Sequence, residues 1–122
     1  MRLRLAGLAL VLIAAPATAQ TQLELTSKAA DALNASEVRM KAVYDGLATH
    51  YGDDSKKRFE QAQDAWEQYR NRQCSFENKG TEGGSIHQML VYKCLKRMTD
   101  RRVSELKRQE HCEEGDLSCV RD

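Results

Sequence analysis

The four cysteines are the residues of this sequence best suited to form bonds beyond the peptide chain. Cys74, Cys94, Cys112 and Cys119 are spaced C-x19-C-x17-C-x6-C. This spacing lacks the paired C-x2-C knuckles of zinc ribbons, although His111 beside Cys112 can supply a nitrogen ligand. We therefore expect disulfides rather than a metal site, and no cofactor is predicted.

Four cysteines allow three connectivities, and one of them keeps both closed loops local. It pairs Cys74 with Cys94 and Cys112 with Cys119. In the chain-entropy model such loops are worth about 3 and about 2.5 kcal/mol of stability. The expected role of these bridges is structural.

Three carboxylates, Glu60, Asp64 and Glu67, fall near one helical face and could form a paired acid and base. Lys56 lies four residues before Glu60, and Lys57 lies seven before Asp64. Opposite charges at such spacing are typical of a solvated, ion-paired helix face. We therefore prefer the structural interpretation to the catalytic one.

Nucleophilic catalysis has little support in the sequence. His50, His87 and His111 lie far apart, and Ser85 follows two glycines without a G-x-S-x-G elbow around it. The sequence predicts a protein that is not an enzyme.

The third helical segment is rich in basic side chains and carries the acids Asp100 and Glu105. Its basic residues are Lys93, Lys96, Arg97, Arg101, Arg102, Lys107 and Arg108. A basic stripe suggests nucleic acid, but no aromatic residues are interleaved with these charges. We expect a solvated face partly paired with the second helix, with an anionic envelope polymer left open as a partner.

The chain starts with the features of a removable secretory leader. Arg2 and Arg4 precede an apolar run over 5–15, and small residues end the segment at Ala19, before Gln20. The run is shorter than the roughly 20 apolar residues that span a bilayer. We expect a signal peptide over 1–19 and a single soluble domain over 20–122, located in the periplasm or secreted.

Composition excludes several classes. The leader holds two of the 19 basic residues and none of the 18 acidic ones, so the domain has almost no net charge and is a poor candidate for binding polyanions by charge alone. The single proline, Pro16, lies in the leader, and the seven glycines are mostly clustered. A β-sandwich or barrel needs more turn residues. Large aliphatic residues are few, which favours a thin core supported by disulfides.

Apolar residues at helical spacing predict a small all-α, three-helix bundle with helices two and three as an antiparallel hairpin. Residues 20–30 are compatible with fraying or with extension of helix one. The three stripes are Leu33, Met40, Val43, Tyr44, Leu47 and Tyr51; then Phe59, Ala62, Trp66, Tyr69 and Phe76; then Ile86, Leu90, Cys94 or Leu95, Met98, Val103 and Leu106. We expect the Trp66 and Tyr69 rings in the core, with Arg70 reaching a carboxylate or a helix end.

Two motifs resemble those of the LprI-type lysozyme inhibitor domain, a family of small exported helical proteins. One is A-Q-x-x-W-x-x-Y-R-x-x-x-C, formed by Ala62, Gln63, Trp66, Tyr69, Arg70 and Cys74. It is followed by Gly83, Gly84 and Ser85, and then by C-L-x-x-M-T-x-x-R-x-x-E-L from Cys94 to Leu106, which includes Arg102. The resemblance covers about 33–106. It implies a bond between Cys74 and Cys94 and inhibition of a lysozyme.

Three features depart from the family pattern. The domain has no cysteine near its start, and Cys112 and Cys119 look like a local addition. Gln20 stands where a lipoprotein would carry its acylated cysteine, so the resemblance does not imply a lipid anchor.

An inhibitor must fill a glycosidase cleft lined by two carboxylates, which requires hydrogen-bond donors on a rigid, protruding segment. The glycine-rich loop over 77–85 fits this requirement, with Lys79, Gly80, Thr81, Gly83, Gly84 and Ser85 as candidate target-binding residues. The polar tail over 109–122 carries five acids against Arg121 and can steer association with a basic lysozyme. The alternatives are an ordinary helix connection for the loop and, for the protein, a non-enzymatic envelope module that binds another protein or a wall polymer.

The leader yields the first testable prediction. Protein recovered from the envelope fraction should begin at Gln20 and carry no acyl group, because the cleavage site is followed by glutamine rather than cysteine. Intact mass and N-terminal sequencing measure both properties. A retained leader or an added acyl mass would contradict the prediction.

Overall fold

The computed structural model describes residues 17–121, with side chains from residue 21 onward, and contains three helices in that range. They are α1 (Ala17–Ala48), α2 (Asp53–Glu77) and α3 (His87–Glu110), with a short 3-10 turn at Lys79–Thr81 before α3. No strand occurs among these residues, so the predicted all-α, three-helix architecture is confirmed. Residues 20–30 extend the first helix. Most of the predicted leader, residues 1–16, lies outside the described residues.

Local sequence explains where α2 begins and ends. Gly52 precedes it in extended backbone, and Asp53 and Asp54 stand in its first turn, where the helix dipole favours negative charge. At the other end, the Asn78 side-chain amide donates to the Cys74 carbonyl oxygen over 2.8 Å. This bond satisfies one of the carbonyls that a helix leaves free in its last turn.

Helices α2 and α3 are antiparallel, as predicted. Their cross-contacts run in opposite chain directions, in the pairs Cys74 with Cys94, Arg70 with Thr99, and Gln63 with Arg102. Helix α1 is parallel to α3, since Gln22 contacts Met89 and Ser36 contacts Asp100. Of the helix pairs, α1 and α3 have the most extensive contact.

The core consists of two small clusters. Met40, Leu47, Val103 and Leu106 form the first, which is extended by aromatic rings. Phe59 stacks on Tyr44 at 4.5 Å between ring centroids and meets Tyr51 edge-on at 5.2 Å. The second cluster consists of Cys74, Cys94 and Met98, and Trp66 contacts both clusters. Ile86 was expected to start the third buried stripe, but it precedes α3 and is exposed, so this part of the prediction is wrong.

A polar contact fixes α1 against α3. The carboxylate of Asp100 accepts hydrogen bonds from the fully buried Ser36, from Arg39 at 3.1 Å and from Lys96. Burial alone would raise the pKa of Asp100, but the bonds from Lys96, Ser36 and Arg39 outweigh it and hold the pKa below its usual range. Asp100 therefore stays ionised and keeps its three partners.

Both predicted disulfides are confirmed. Cys74 pairs with Cys94, and Cys112 pairs with Cys119. The second bridge closes the segment after α3, which Gln109 also fastens: its side-chain amide donates to the Ser118 carbonyl, and its side-chain oxygen accepts from the Val120 amide. Within residues 17–121, no helix combines the length and apolar character that a membrane crossing needs.

The two bridges should differ in their effect on stability. Replacing Cys74 and Cys94 with serine should lower the free energy of unfolding by about 2 to 5 kcal/mol, because this bridge closes the larger loop and lies in the core. The matched change at Cys112 and Cys119 should cost less, because it frees only an exposed segment. Urea unfolding of both variants makes the comparison. Equal losses would contradict this account.

Candidate target-binding surface

Trp66 lies between two arginines. The guanidinium carbon of Arg70 is 5.4 Å from the centroid of the indole ring, and that of Arg102 is 5.6 Å away. Arg102 also donates to the Gln63 side-chain oxygen at 3.1 Å. Gln63 is buried and donates in turn to Glu67 at 3.2 Å. The motif residues Gln63, Trp66, Arg70 and Arg102 therefore form one connected cluster.

Arg70 is the most consequential member of this cluster because it is buried, with 8% of its surface exposed. One guanidinium nitrogen donates to Glu37 of α1 and to Thr99 of α3, both at 3.0 Å. A third bond runs to the Asn71 side chain at 3.2 Å. A buried charge is tolerated only with such partners, and here they belong to both neighbouring helices. The prediction that Arg70 reaches a carboxylate is confirmed.

Tyr69 and Phe76 were expected in the core, and this is wrong: 56% and 76% of their surfaces are exposed. Helical phase gives the reason. At about 100° per residue, Tyr69 and Phe76 lie about 120° and about 140° from the middle of the face that buries Gln63, Arg70 and Cys74. In this part of α2 the buried position belongs to Arg70, whereas hydrophobicity alone would have placed Tyr69 and Phe76 inside.

The exposed rings form part of a continuous surface. We call Ala65, Tyr69, Arg72 and Phe76 the outer stripe; all four are exposed and share one side of α2 over about 17 Å. Arg72 makes no ion pair with any residue the structure describes. Sequence analysis missed the stripe, although the phase of α2 relative to Arg70 and Cys74 would have revealed it.

The glycine-rich loop joins this surface. Phe76 and Arg72 of the outer stripe line one shallow depression together with Lys79, the first residue of the 3-10 turn. Lys79 itself is exposed and pairs with Glu82. The outer stripe and the loop are therefore neighbouring parts of one surface at the end of the α2–α3 hairpin.

Several of the loop's expected donors are engaged within the loop. The Gly84 amide was expected to be free for a target, but it donates to the Thr81 carbonyl at 3.0 Å. The Thr81 hydroxyl donates to the Asn78 carbonyl at 2.8 Å and lies 2.9 Å from His87 Nδ1. Gly80, Gly83 and Ser85 are exposed.

These internal bonds make the loop a fixed structure. Gly83 has φ 79°, a left-handed conformation that side chains disfavour. At Gly84, an added Cβ would lie 3.1 Å from the Thr81 carbonyl oxygen, which is tight. The disulfide between Cys74 and Cys94 joins the helix before the loop to the helix after it, so the loop is held at both ends.

The three carboxylates of α2 do not form an ion-paired face. Glu60 and Asp64 are exposed and make no ion pair with a residue the structure describes, so the pairs expected with Lys56 and Lys57 are absent there. Glu67 accepts from Gln63. Their charges act instead on Tyr44: burial, followed by Glu60 and Asp64, raises the pKa of its hydroxyl above the ordinary value.

The remaining titratable residues are also dispersed. His50 contacts the Gly46 carbonyl at 2.8 Å, His87 contacts Thr81, and His111 is exposed at the end of α3. Because Cys112 is bonded to Cys119, His111 has no thiolate neighbour. Among the described residues, no cluster of three or more His, Cys, Asp or Glu side chains is placed to hold a metal ion. On α3, Arg97 pairs with Glu77 of α2 at 2.5 Å, which is the cross-helix pairing expected for the basic stripe.

Fold and surface together define a small, disulfide-bonded helical scaffold that presents an aromatic and basic surface beside a rigid loop. Comparison with known families identifies the scaffold. The sequence profile of the family "Lysozyme inhibitor LprI" matches residues 13–106, and the chain belongs to this family. The match begins earlier than the resemblance over 33–106 and ends at the same residue, which leaves the tail outside it. Neither a curated protein nor a solved structure matches the chain significantly.

Adjacent motif residues should differ sharply in their effect on stability. Replacing Arg70 with alanine should cost about 2 to 4 kcal/mol, because Glu37 and Thr99 lose their partner and Trp66 loses a cation contact; the partial exposure of Glu37 keeps the loss moderate. Replacing Tyr69 with alanine should change stability by no more than about 0.5 kcal/mol, since the ring is exposed. Urea unfolding measures both. A larger loss at Tyr69 than at Arg70 would refute the structural role of Arg70.

Proposed function

We propose that this protein is exported and binds a lysozyme-type glycosidase, whose cleft it blocks without carrying out a reaction. The observation that carries the proposal is membership of the lysozyme inhibitor LprI family over residues 13–106. Two disulfides support export, because such bonds form and persist in oxidising compartments. Periplasmic or secreted location after cleavage before Gln20 is part of the proposal.

The outer stripe and the loop are the surface we assign to this contact. Protein interfaces gain most of their affinity from a few aromatic and arginine residues, and exposed large rings on a small domain mark such sites. Tyr69 and Phe76 are exposed aromatic anchors, with Arg72 between them. The assignment also gives a role to Tyr69, which belongs to the W-x-x-Y-R motif but lies outside the core.

Charge supports the same assignment. A glycosidase cleft presents two carboxylates that flank the scissile bond, so a blocking surface gains from unpaired cations and donors. Arg72 supplies a cation without an ion-pair partner among the described residues, and Gly80, Gly83 and Ser85 extend the surface with exposed polar backbone. The rigid loop loses little conformational entropy on binding.

The acidic tail is proposed to act at a distance. It lies beyond the end of α3, at the opposite end of α2 from the loop, and α2 is about 37 Å long. Its exposed acids, among them Glu113 and Glu114, can steer a basic lysozyme without direct contact. An association rate that does not depend on salt would exclude this steering.

A cell-wall clearing assay with lysozyme tests the proposal. The oxidised wild-type domain should slow clearing, and the triple variant Tyr69→Ala, Arg72→Ala, Phe76→Ala should weaken inhibition at least about tenfold, because it removes the anchors and the cation. The loop variant Lys79→Ala, Thr81→Ala, Ser85→Ala should weaken it less, since Lys79 and Thr81 are engaged within the loop.

The control is the variant Leu23→Ala, Val38→Ala, which removes exposed apolar side chains from α1 and should inhibit like the wild type. Circular dichroism and urea unfolding establish that all variants are folded. Absence of inhibition by the folded, oxidised wild type would contradict the proposed function and favour an envelope interaction module. Full inhibition by the stripe variant would leave the proposed function standing, but it would show that the outer stripe does not contribute to lysozyme binding.

A further inference from the structure

A groove of about 830 Å³ lies at the end of the bundle away from the glycine-rich loop. Its sides are the start of α2, the end of α3 and the segment after α3. Ligand pockets for small molecules typically measure about 300 to 1,000 Å³. The groove has the size of such a site, and the proposed inhibition does not use it.

The groove has an apolar floor. Phe59 and Leu106 line it and also belong to the first core cluster, so the floor is an open edge of the core. Ala62 of α2 and Val120 of the tail widen the apolar surface, and both are exposed. Apolar surface left open to water in a concave site favours a ligand with a hydrocarbon or aromatic body.

Two basic residues stand at the rim of the groove. Lys107 and Arg108 line it, are exposed, and make no ion pair with any residue the structure describes. Of the two acids at the groove, Glu105 pairs with Arg102, whereas Asp116 accepts bonds from Ser118, which carries no charge. Those bonds hold the pKa of Asp116 below its usual range. Asp116 therefore keeps its negative charge, and the two rim cations outnumber it, so the net charge left for a ligand is positive.

One wall of the groove lies outside the residues that match the family. The tail lies outside the family match, which ends at residue 106, yet Asp116, Ser118 and Val120 line the groove. The bond between Cys112 and Cys119 and the two hydrogen bonds of Gln109 fold this segment back against the end of α3. A segment fastened three times is a fixed wall rather than a loose end.

We propose that this groove binds an acyl carboxylate, a single-chain anion whose hydrocarbon part lies on Phe59, Ala62 and Val120 and whose carboxylate meets Lys107 and Arg108. The combination of an apolar floor with an unpaired basic rim selects this chemistry: a neutral apolar molecule leaves the cations unused, and a small anion leaves the floor open to water. The inference stands independently of the proposed inhibition.

Tryptophan fluorescence provides a direct test with the full chain. Trp66 is the single tryptophan and contacts Arg102, which lines the groove, so its emission should change when the groove fills. Sodium dodecanoate below its micelle concentration should give a saturable change and a dissociation constant. Dodecanol and dodecyltrimethylammonium, which carry the same chain without the negative charge, should bind at least about tenfold more weakly.

Two variants localise the site. Ala62→Trp fills the floor from an exposed helix position, and it should abolish dodecanoate binding; because it adds a second tryptophan, calorimetry replaces fluorescence for this variant. The pair Lys107→Ala, Arg108→Ala should weaken binding at least about tenfold. Its matched control is Lys56→Ala, Lys57→Ala, which removes the same charge from exposed positions outside the groove and should leave the dissociation constant unchanged.

Three results would overturn the inference. The first is the absence of saturable dodecanoate binding to the oxidised wild type. The second is that the control pair at Lys56 and Lys57 weakens dodecanoate binding as much as the pair at Lys107 and Arg108. Net charge rather than the groove would then attract the anion. The third is self-association of the wild type in sedimentation that Ala62→Trp abolishes, since the groove would then be occupied by a second copy of the chain.

Discussion

The burial of Arg70 is the constraint on which the arrangement of the three helices depends. A buried arginine, only 8% exposed, must find partners for its charge, and Arg70 finds them on both neighbours, at Glu37 of α1 and Thr99 of α3. These bonds fix the rotation of α2 about its own axis. With Arg70 inward, Tyr69 must point outward, because adjacent helical residues differ by about 100°. The outer stripe is thus a consequence of the buried charge.

The same constraint explains how α2 is held. Helix α1, in which Ala29, Leu33 and Ser36 are buried, packs extensively along α3, whereas α2 has far less backbone contact with α3 and meets its neighbours through large or polar side chains. Trp66 fills the space between the two core clusters, and the arginines beside it satisfy their charges on Glu37 and Glu105. The bridge between Cys74 and Cys94 closes the other end of this interface. We therefore expect α2 to depend on its disulfide for stability more than a closely packed helix would.

Sequence patterns predicted the elements better than the orientation of α2. The apolar stripes gave three helices, and local pairing gave both disulfides, because each depends on neighbouring residues. The assignment of Tyr69 and Phe76 to the core failed because it ranked residues by hydrophobicity, and the partners that allow Arg70 inside come from distant segments. The loop's donors were overestimated for a related reason: turn geometry pairs Gly84 with Thr81, and spacing alone does not reveal this.

The two ends of α2 have different relations to the family. The loop end lies within the matched residues 13–106, where the motif fixes the hairpin by Arg70, Cys74 and Cys94. The other end meets a tail beyond the match, with its own disulfide. This bridge and two hydrogen bonds of Gln109 fold the tail against the end of α3, and no tail residue that the structure describes belongs to the two core clusters. The structure thus separates a surface that depends on the matched residues from a groove that has one wall beyond them.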